Sequence, residues 1–247
     1  MGIISAGITD IGQKRKSNQD SIYLGPNIKF YCVADGMGGH SGGDIASQMV
    51  VEHLPVFLEK YTDHRPKDLL KAGIDHVNEM IYERAQSDEK LKGMGTTVVG
   101  FLFRGQEVFI CNLGDSRSYL MDNKNLYQLT RDHSLVQEKL AMGIYNRDQA
   151  RRDKMKNVLV RTLGFEQYAQ PDIYSYKVSR NQIFLLCSDG LHGKLSDEDI
   201  SFVLNREIPN PAKATKGDLQ RTAQTLVDYA NALGGQDNIS VILIIAQ

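Results

Sequence analysis

The strongest constraint on the fold is the order in which two kinds of periodicity follow each other along the chain. Strand-like runs rich in β-branched and aromatic residues fall near 28–34, 97–103, 107–112, 116–121, 126–130, 157–163, 172–178, 182–187 and 239–245. Several are separated by only a few residues. The joining segments Arg104-Gly105-Gln106 and Asp122-Asn123-Lys124-Asn125 carry the turn chemistry that hairpins require. Helical spacing is confined to two other blocks. In the first, Ile45, Met49, His53 and Phe57, then Leu70, Ile74, Val77 and Ile81, recur every three or four residues. In the second, Ser196 and Asp199 form a capping-box pattern ahead of Ile200, Val203 and Leu204. Leu219, Ala223, Leu226, Ala230 and Leu233 then mark a final amphipathic helix. Strict βαβα alternation would imply a parallel, doubly wound sheet. Hairpins and helix pairs imply instead an α+β fold with antiparallel sheets faced by helices, over a single domain of residues 1–247.

Composition allows a sizeable core and narrows the partners. Hydrophobic residues make up 41% and charged residues 24% of the 247, with a net charge of −1. That balance leaves no basic footprint for nucleic acid and no polybasic signal for a membrane surface. The opening MGIISAGITDIG lacks a charged segment followed by a long apolar run, and Ala6 breaks the myristoylation pattern. No stretch approaches the roughly 18 apolar residues that span a bilayer. Cys32, Cys111 and Cys187 sit inside apolar runs as small core hydrophobes, without paired spacing. A reducing, cytoplasmic setting is expected. Residues 134–156 differ from the rest: Arg147, Arg151, Arg152, Lys154 and Lys156 outnumber Asp148 and Asp153, and periodicity is poor. This segment reads either as a solvated helical insertion or as a flap-like excursion that faces substrate.

The most informative residues are aspartates at the mouths of apolar runs. Asp35 ends FYCVAD, Asp115 follows VFICNLG, Asp189 ends IFLLCSD, and Asp237 stands just before NISVILII. Asp20 similarly precedes Ser21-Ile22-Tyr23-Leu24. If those ends converge, the carboxylates repel and raise one another's pKa unless a cation neutralises them. A divalent ion is the usual solution, and an all-oxygen site selects hard ions such as Mg²⁺ or Mn²⁺. The plainer alternative is that Asp35-Gly36 and Asp189-Gly190 are Asp-Gly hairpin turns. Neither is followed directly by a strand, yet composition and spacing leave both readings open. A calcium loop of the D-x-D-x-D-G type is absent.

Seven segments sharpen the choice: R-K-S-N-Q-D (Arg15 to Asp20), D-G-M-G-G-H (Asp35 to His40), G-T-T (Gly95 to Thr97), G-D-S-R (Gly114 to Arg117), D-H-S (Asp132 to Ser134), S-D-G-L (Ser188 to Leu191) and G-Q-D-N (Gly235 to Asn238). In that order the chain closely resembles the PPM family, the type 2C metal-dependent serine/threonine protein phosphatases, in its bacterial branch. The resemblance implies a central antiparallel β-sandwich flanked on both faces by helix pairs. It also implies hydrolysis of phosphoserine and phosphothreonine by a hydroxide bridging two metals and attacking phosphorus in line. Asp35 would bridge the metals, with the Gly36 carbonyl completing one, and Asp189 and Asp237 would hold the other. Asp20 would act through bound water, and Asp115 with Asp189 would bind a third, weaker ion. Arg15 would clamp the phosphate through its planar fork. Phosphorylated proteins and a cognate serine/threonine kinase are the implied partners in signalling.

The chain departs from many relatives at Met37, which replaces a histidine that is a candidate general acid, and at Gln19, which replaces a frequent glutamate. His40 and His133 are then candidates for proton transfer, and His192 reads as a packing or surface residue. Gly38, Gly39, Gly42 and Gly43 are expected to let the chain turn sharply beside the metals. Two competing functions remain to be weighed. Gly39-His40-Ser41-Gly42-Gly43 fits the G-x-S-x-G nucleophile elbow, which would make Ser41 the nucleophile of a serine hydrolase. That reading leaves Asp35, Asp189 and Asp237 unexplained. A catalytically weak phosphoprotein-binding regulator would be expected to lack some metal aspartates, and here all the matched ones are present.

Overall fold

The computed structural model describes residues 2–38 and 42–247, with side chains throughout except at 147, 148 and 151. In chain order, β1 (Ile3–Asp10) precedes a hairpin of β2 (Asp20–Gly25) and β3 (Phe30–Met37), followed by α1 (Gly43–Lys60) and α2 (Pro66–Ser87). A strand run comes next: β4 (Gly95–Thr96), β5 (Val98–Arg104), β6 (Glu107–Leu113), β7 (Arg117–Asp122) and β8 (Asn125–Gln128). Two short helices, α3 (Leu135–Ala141) and α4 (Arg147–Arg152), lead to β9 (Asp172–Lys177) and β10 (Ile183–Cys187). The chain closes with α5 (Asp189–His192), α6 (Asp197–Glu207), α7 (Lys216–Ala232) and β11 (Ile239–Ala246).

The strands form two antiparallel sheets, ordered β1-β11-β10-β7-β8 and β2-β3-β5-β6-β9, with β4 attached to β3. Their inner faces meet through Tyr31, Val33, Phe101, Phe103, Phe184, Ile242 and Ile244. Phe184 stands edge-on to Phe101 and to Phe103, each at 5.5 Å between centroids. The outer face of the second sheet buries α1 and α2 through Val50, Leu54, Leu70, Ile74 and Ile81. The outer face of the first buries α6 and α7 through Ile200, Val203, Leu219, Leu226 and Ala230. This is the α+β sandwich with helix pairs on both faces. It explains the unbroken apolar run of β11: Ile242 and Ile244 point between the sheets, Val241, Leu243 and Ile245 toward the helices, and all eight residues are buried.

Local chemistry agrees. Asn123 and Lys124 both take positive φ, 47° and 68°, giving a two-residue turn that pairs Asp122 with Asn125. Ser196 with Asp199 and Thr215 with Asp218 are reciprocal capping boxes at the starts of α6 and α7.

Three expectations are corrected. The run 157–163 is not a strand; it is irregular backbone joined by isolated bridges of Leu159 to Ser134 and Leu163 to Thr96. Its β-branched residues are largely solvated, so no ladder rewards them. The buried face of α1 is Ala46, Ser47, Val50, Leu54 and Leu58, rotated from the expected Ile45-Met49-His53-Phe57 line, because small residues let the helix lie close to β3. Conversely, the strand-like runs do not include β1: its buried and half-buried residues do not alternate cleanly, and the glycine at 7 interrupts the apolar pattern.

Candidate active site

Antiparallel pairing makes the end of one strand meet the start of its neighbour, and this happens once in each sheet at the same edge of the sandwich. In the second sheet, Asp20 at the start of β2 is the direct cross-strand partner of Asp35 near the end of β3. In the first sheet, β10 and β11 pair from Ile183 with Ile245 to Cys187 with Val241. That register leaves Asp189, just past β10, beside Asp237, just ahead of β11. Two contacts lock the sheets together there: Ser188 Oγ donates to Asp20 Oδ2 at 2.7 Å, and Ser240 Oγ lies 2.6 Å from the same oxygen. Asp115 completes the group from the turn after β6.

These residues open into a cleft of about 820 Å³ whose lining includes Arg15, Asp35, Gly36, Asp115, Asp189 and Asp237. Asp20 is buried just beneath. Like charges facing each other across a strand pair are unfavourable, and the electrostatics show it. Desolvation, reinforced by Asp20, Asp189, Asp115 and Asp237, drives the Asp35 pKa well above the carboxylate range. Desolvation with Asp237 and Asp20 pushes Asp189 up to about 7, and desolvation raises Asp20 to about 6 against the opposing pull of Ser240 and Ser188. Asp115 is raised in the same way, by desolvation and then Asp189.

Among the described residues no three His, Cys, Asp or Glu side chains are closed into a compact ligand group. Two of the acids are engaged elsewhere: Asp237 accepts from Arg15 Nη2 at 2.6 Å and from the Asn238 amide at 2.9 Å, while Asp20 is turned onto the two serines. Yet the other oxygen of Asp20, Oδ1, is buried with no hydrogen-bond partner. A buried acceptor beside four more carboxyl groups is what a hard cation or its bound water satisfies, so the donor set fits a divalent metal.

The backbone around these acids is heavily specified. Thr96 Oγ1 donates to the Asp35 carbonyl at 2.9 Å, the Thr97 amide donates to the same carbonyl at 2.8 Å, and Thr97 Oγ1 accepts from the Asp35 amide at 3.0 Å. Asn238 ties down the loop that carries Arg15. Its Nδ2 donates to the carbonyls of Ile11 and Ser17, at 2.9 and 3.0 Å, and its Oδ1 accepts from the Gln19 amide at 2.9 Å. Two glycines permit the close approach: a Cβ on Gly36 would collide with the Gly43 carbonyl, and one on Gly190 with the Asn238 carbonyl. The segments G-T-T and Q-D-N were visible in the sequence, but the work of Thr96, Thr97, Asn238, Ser188 and Ser240 was not. That work is backbone clamping, which leaves no periodic trace.

The histidines divide differently from expectation. His192 Nε2 donates to the Asp115 carbonyl at 2.9 Å, and desolvation followed by Arg117 lowers its pKa to about 4, so it is a neutral prop for the Asp115 turn, the packing role of the two expected for it. His133 is buried and does not line the cleft. Its Nδ1 accepts from the Gly114 amide at 3.2 Å, and Nε2 faces Asp172 Oδ2 at 3.2 Å with poor hydrogen-bond alignment. It supports the other side of the same turn and is placed away from any proton transfer in the cleft. His40, Gly39 and Ser41 lie outside the described residues. Gly38 does take a positive φ of 134°, next to Met37 on the cleft lining. From segment 134–156 the cleft is lined, among the described residues, by Glu138, an acid rather than one of the arginines.

The sequence matches the protein phosphatase 2C family over residues 12–228. Among curated relatives, the serine/threonine phosphatase stp of Listeria welshimeri is 36% identical over 243 residues, covering 96% of this chain and 93% of that protein. Among solved structures, the Mycobacterium tuberculosis serine/threonine phosphatase PstP/Ppp superposes with a TM-score of 0.89 at 31% identity, covering 99% of each chain. A catalytic domain of the serine threonine protein phosphatase PstP, in complex with 2 manganese ions, gives a TM-score of 0.85 at 30% identity over 98% of this chain and 97% of that one. The chain belongs to the protein phosphatase 2C family, and it is a serine/threonine phosphatase of that family's bacterial branch.

Proposed function

We propose that the chain hydrolyses phosphoserine and phosphothreonine esters of proteins with two Mn²⁺ or Mg²⁺ ions held by Asp35, the Gly36 carbonyl, Asp189 and Asp237. Asp20 acts through bound water, and Asp115 with Asp189 serves a third, weaker ion. The observation that carries this reading is the unpartnered, buried Oδ1 of Asp20 directly across the strand pair from Asp35, among acids of which Asp20, Asp35, Asp115 and Asp189 have raised pKa values. Such ions would supply a water of lowered pKa and offset the charge of the phosphoryl group, which is what in-line attack on phosphorus requires.

The protein's own contribution is positioning. Thr96 and Thr97 fix the backbone of Asp35, and Ser188 and Ser240 fix the carboxylate of Asp20, so the strand ends that carry both acids stay in place as charge develops. Arg15 lies half exposed at the rim, its guanidinium on Asp237, with remaining donors to orient phosphate oxygens. Met37 offers no proton, so the leaving serine or threonine oxygen would take its proton from metal-bound water or from another residue. Phosphoproteins made by a serine/threonine kinase are the substrates, and a cytoplasmic setting suits three buried, unpaired cysteines. No described helix is long and apolar enough to cross a membrane. The chain acts as one catalytic domain with 134–156 as a flap-like segment beside the cleft.

The test is release of phosphate from phosphothreonine and phosphotyrosine peptides with Mn²⁺ or Mg²⁺, and with EDTA. Phosphothreonine turnover that EDTA abolishes is expected. Turnover surviving EDTA would point back to a metal-free hydrolase, and no turnover by folded, Mn²⁺-supplied protein would point to a phosphoprotein-binding regulator.

A further inference from the structure

A cleft of about 820 Å³ is far larger than a phosphoryl group needs and is of the size that buries a drug-sized ligand. Its floor is acidic, but one wall is apolar: Leu159, Val160, Phe165 and Tyr168 all line it. Phe165 is 53% exposed and Tyr168 is 76% exposed. Exposed aromatics scattered over a surface need no explanation, but two that line one cleft from a single loop do.

This wall is held from behind. Asn78, fully buried on α2, accepts from the Gly164 amide at 2.9 Å through Oδ1 and donates through Nδ2 to the carbonyls of Glu166 and Gln167, at 2.9 and 3.1 Å. One buried amide thus satisfies three backbone groups of the loop 164–168. Leu163, just before it, is buried and bonded in both directions to Thr96, at 3.1 and 2.9 Å. The Phe165 ring lies over Gly95, where any side chain would meet ring carbons at 2.6 Å. The loop that carries the aromatics is therefore anchored to the same β4 residues that fix Asp35. Its distance from the metal-binding acids is set by the fold, and its rings are offered to solvent without freedom to fold back.

We propose that Phe165 and Tyr168, with Val160, form a subsite for an apolar side chain flanking the phosphorylated residue of the substrate; this rests on the phosphatase reading of the cleft. The charges around the wall select the occupant. Glu138 and Glu166 line the cleft beside it, so an acidic neighbour is repelled, while Arg161 is engaged by Asp172 at 3.3 Å. An aliphatic or aromatic residue gains contact with two rings at little conformational cost, since aromatics have few torsions to freeze. The occupant is thus a peptide with Leu, Ile, Met or Phe near the phosphothreonine.

The experiment compares phosphothreonine peptides of equal charge carrying either Leu or Ala at the flanking positions, with p-nitrophenyl phosphate as a wild-type control. Burial of a branched side chain predicts about a tenfold advantage in kcat/KM for the leucine peptide, expressed mainly in KM. In Tyr168→Ala, where the changed side chain is almost wholly solvated, the leucine-to-alanine ratio should fall to about two, and Tyr168→Phe should restore it. A wild-type ratio near one, or a tenfold ratio that persists in Tyr168→Ala, overturns the subsite. Failure of the phosphatase reading looks different: neither peptide nor p-nitrophenyl phosphate is then hydrolysed.

Discussion

On the floor of the cleft, Asp35 is held at its backbone by the hydroxyls of Thr96 and Thr97, and Asp20 at its side chain by those of Ser188 and Ser240. On the wall, between α3 and β9, the backbone has little regular pairing: α3 and α4 span seven and six residues, and the stretch that follows is tied by isolated bridges, one to Ser134 ahead of α3 and one to Thr96 of β4. Both regions line one cavity, but they are stabilised by different physics. The floor gathers charges that repel, so only a rigid frame of hydrogen bonds and close glycine contacts keeps them together. The wall gathers solvated side chains whose order depends on a few buried anchors, among them Asn78 and Thr96. Chemistry common to every substrate belongs on the first kind of structure, and discrimination between substrates belongs on the second.

The comparison is broken most forcefully at Asp189. Asp189→Asn should lower Mn²⁺-supported hydrolysis of p-nitrophenyl phosphate by more than about 100-fold, since under the proposed assignment it removes a ligand charge rather than an outer support. It should leave the melting temperature of the metal-free protein unchanged or raised, because it removes one of the mutually repelling acids. Substantial remaining turnover would show that the floor is not the metal centre. Next in size is Gly190→Ala, where the new methyl meets the Asn238 carbonyl. A loss of about 3 kcal/mol in urea unfolding is expected, since backbone cannot give way as a side chain can. Arg15→Ala is smaller, about tenfold in KM for phosphopeptide. The half-exposed pair with Asp237 contributes little by itself, so calorimetric Mn²⁺ affinity should stay level or rise as Asp237 is released. Lost metal affinity would contradict the role assigned to this arginine.

How much of this was legible in the sequence follows the same division. The acids of the floor punctuate apolar strands, and strand periodicity is a strong signal, so Asp35, Asp115, Asp189 and Asp237 could be singled out and the sandwich inferred. The hydroxyls that hold them were not legible as clamps, because Thr96, Thr97, Ser188 and Ser240 reach partners far away in sequence and look like ordinary strand residues. The wall misled more directly: the Val and Leu residues of 157–163 have strand propensity, but propensity without a neighbouring strand yields only bridges. The arginines of 134–156 left a solvated insertion and a substrate-facing surface equally open; among the described residues Arg152 is exposed and outside the cleft lining, and the segment lines the cleft through Glu138.

Two smaller effects separate floor from wall by sign and by size. The raised pKa values of Asp20, about 6, and Asp189, about 7, mean that the folded chain binds protons more tightly than the unfolded one. Metal-free stability should therefore fall as pH rises from about 4, where unfolded aspartates ionise, to about 7. Divalent cations replace those protons, so the rise in melting temperature on adding Mn²⁺ should be larger at pH 8 than at pH 5. The reverse order would mean that the cation binds elsewhere. On the wall, Gly143 has a positive φ of 70°, but a methyl added there would meet nothing within 4 Å. Gly143→Ala should then lose only the backbone term, about 1 kcal/mol, with kcat on p-nitrophenyl phosphate retained. A loss matching that of Gly190→Ala would show that the helical excursion is as tightly built as the strand ends, and that the division between a rigid floor and a lightly anchored wall is false.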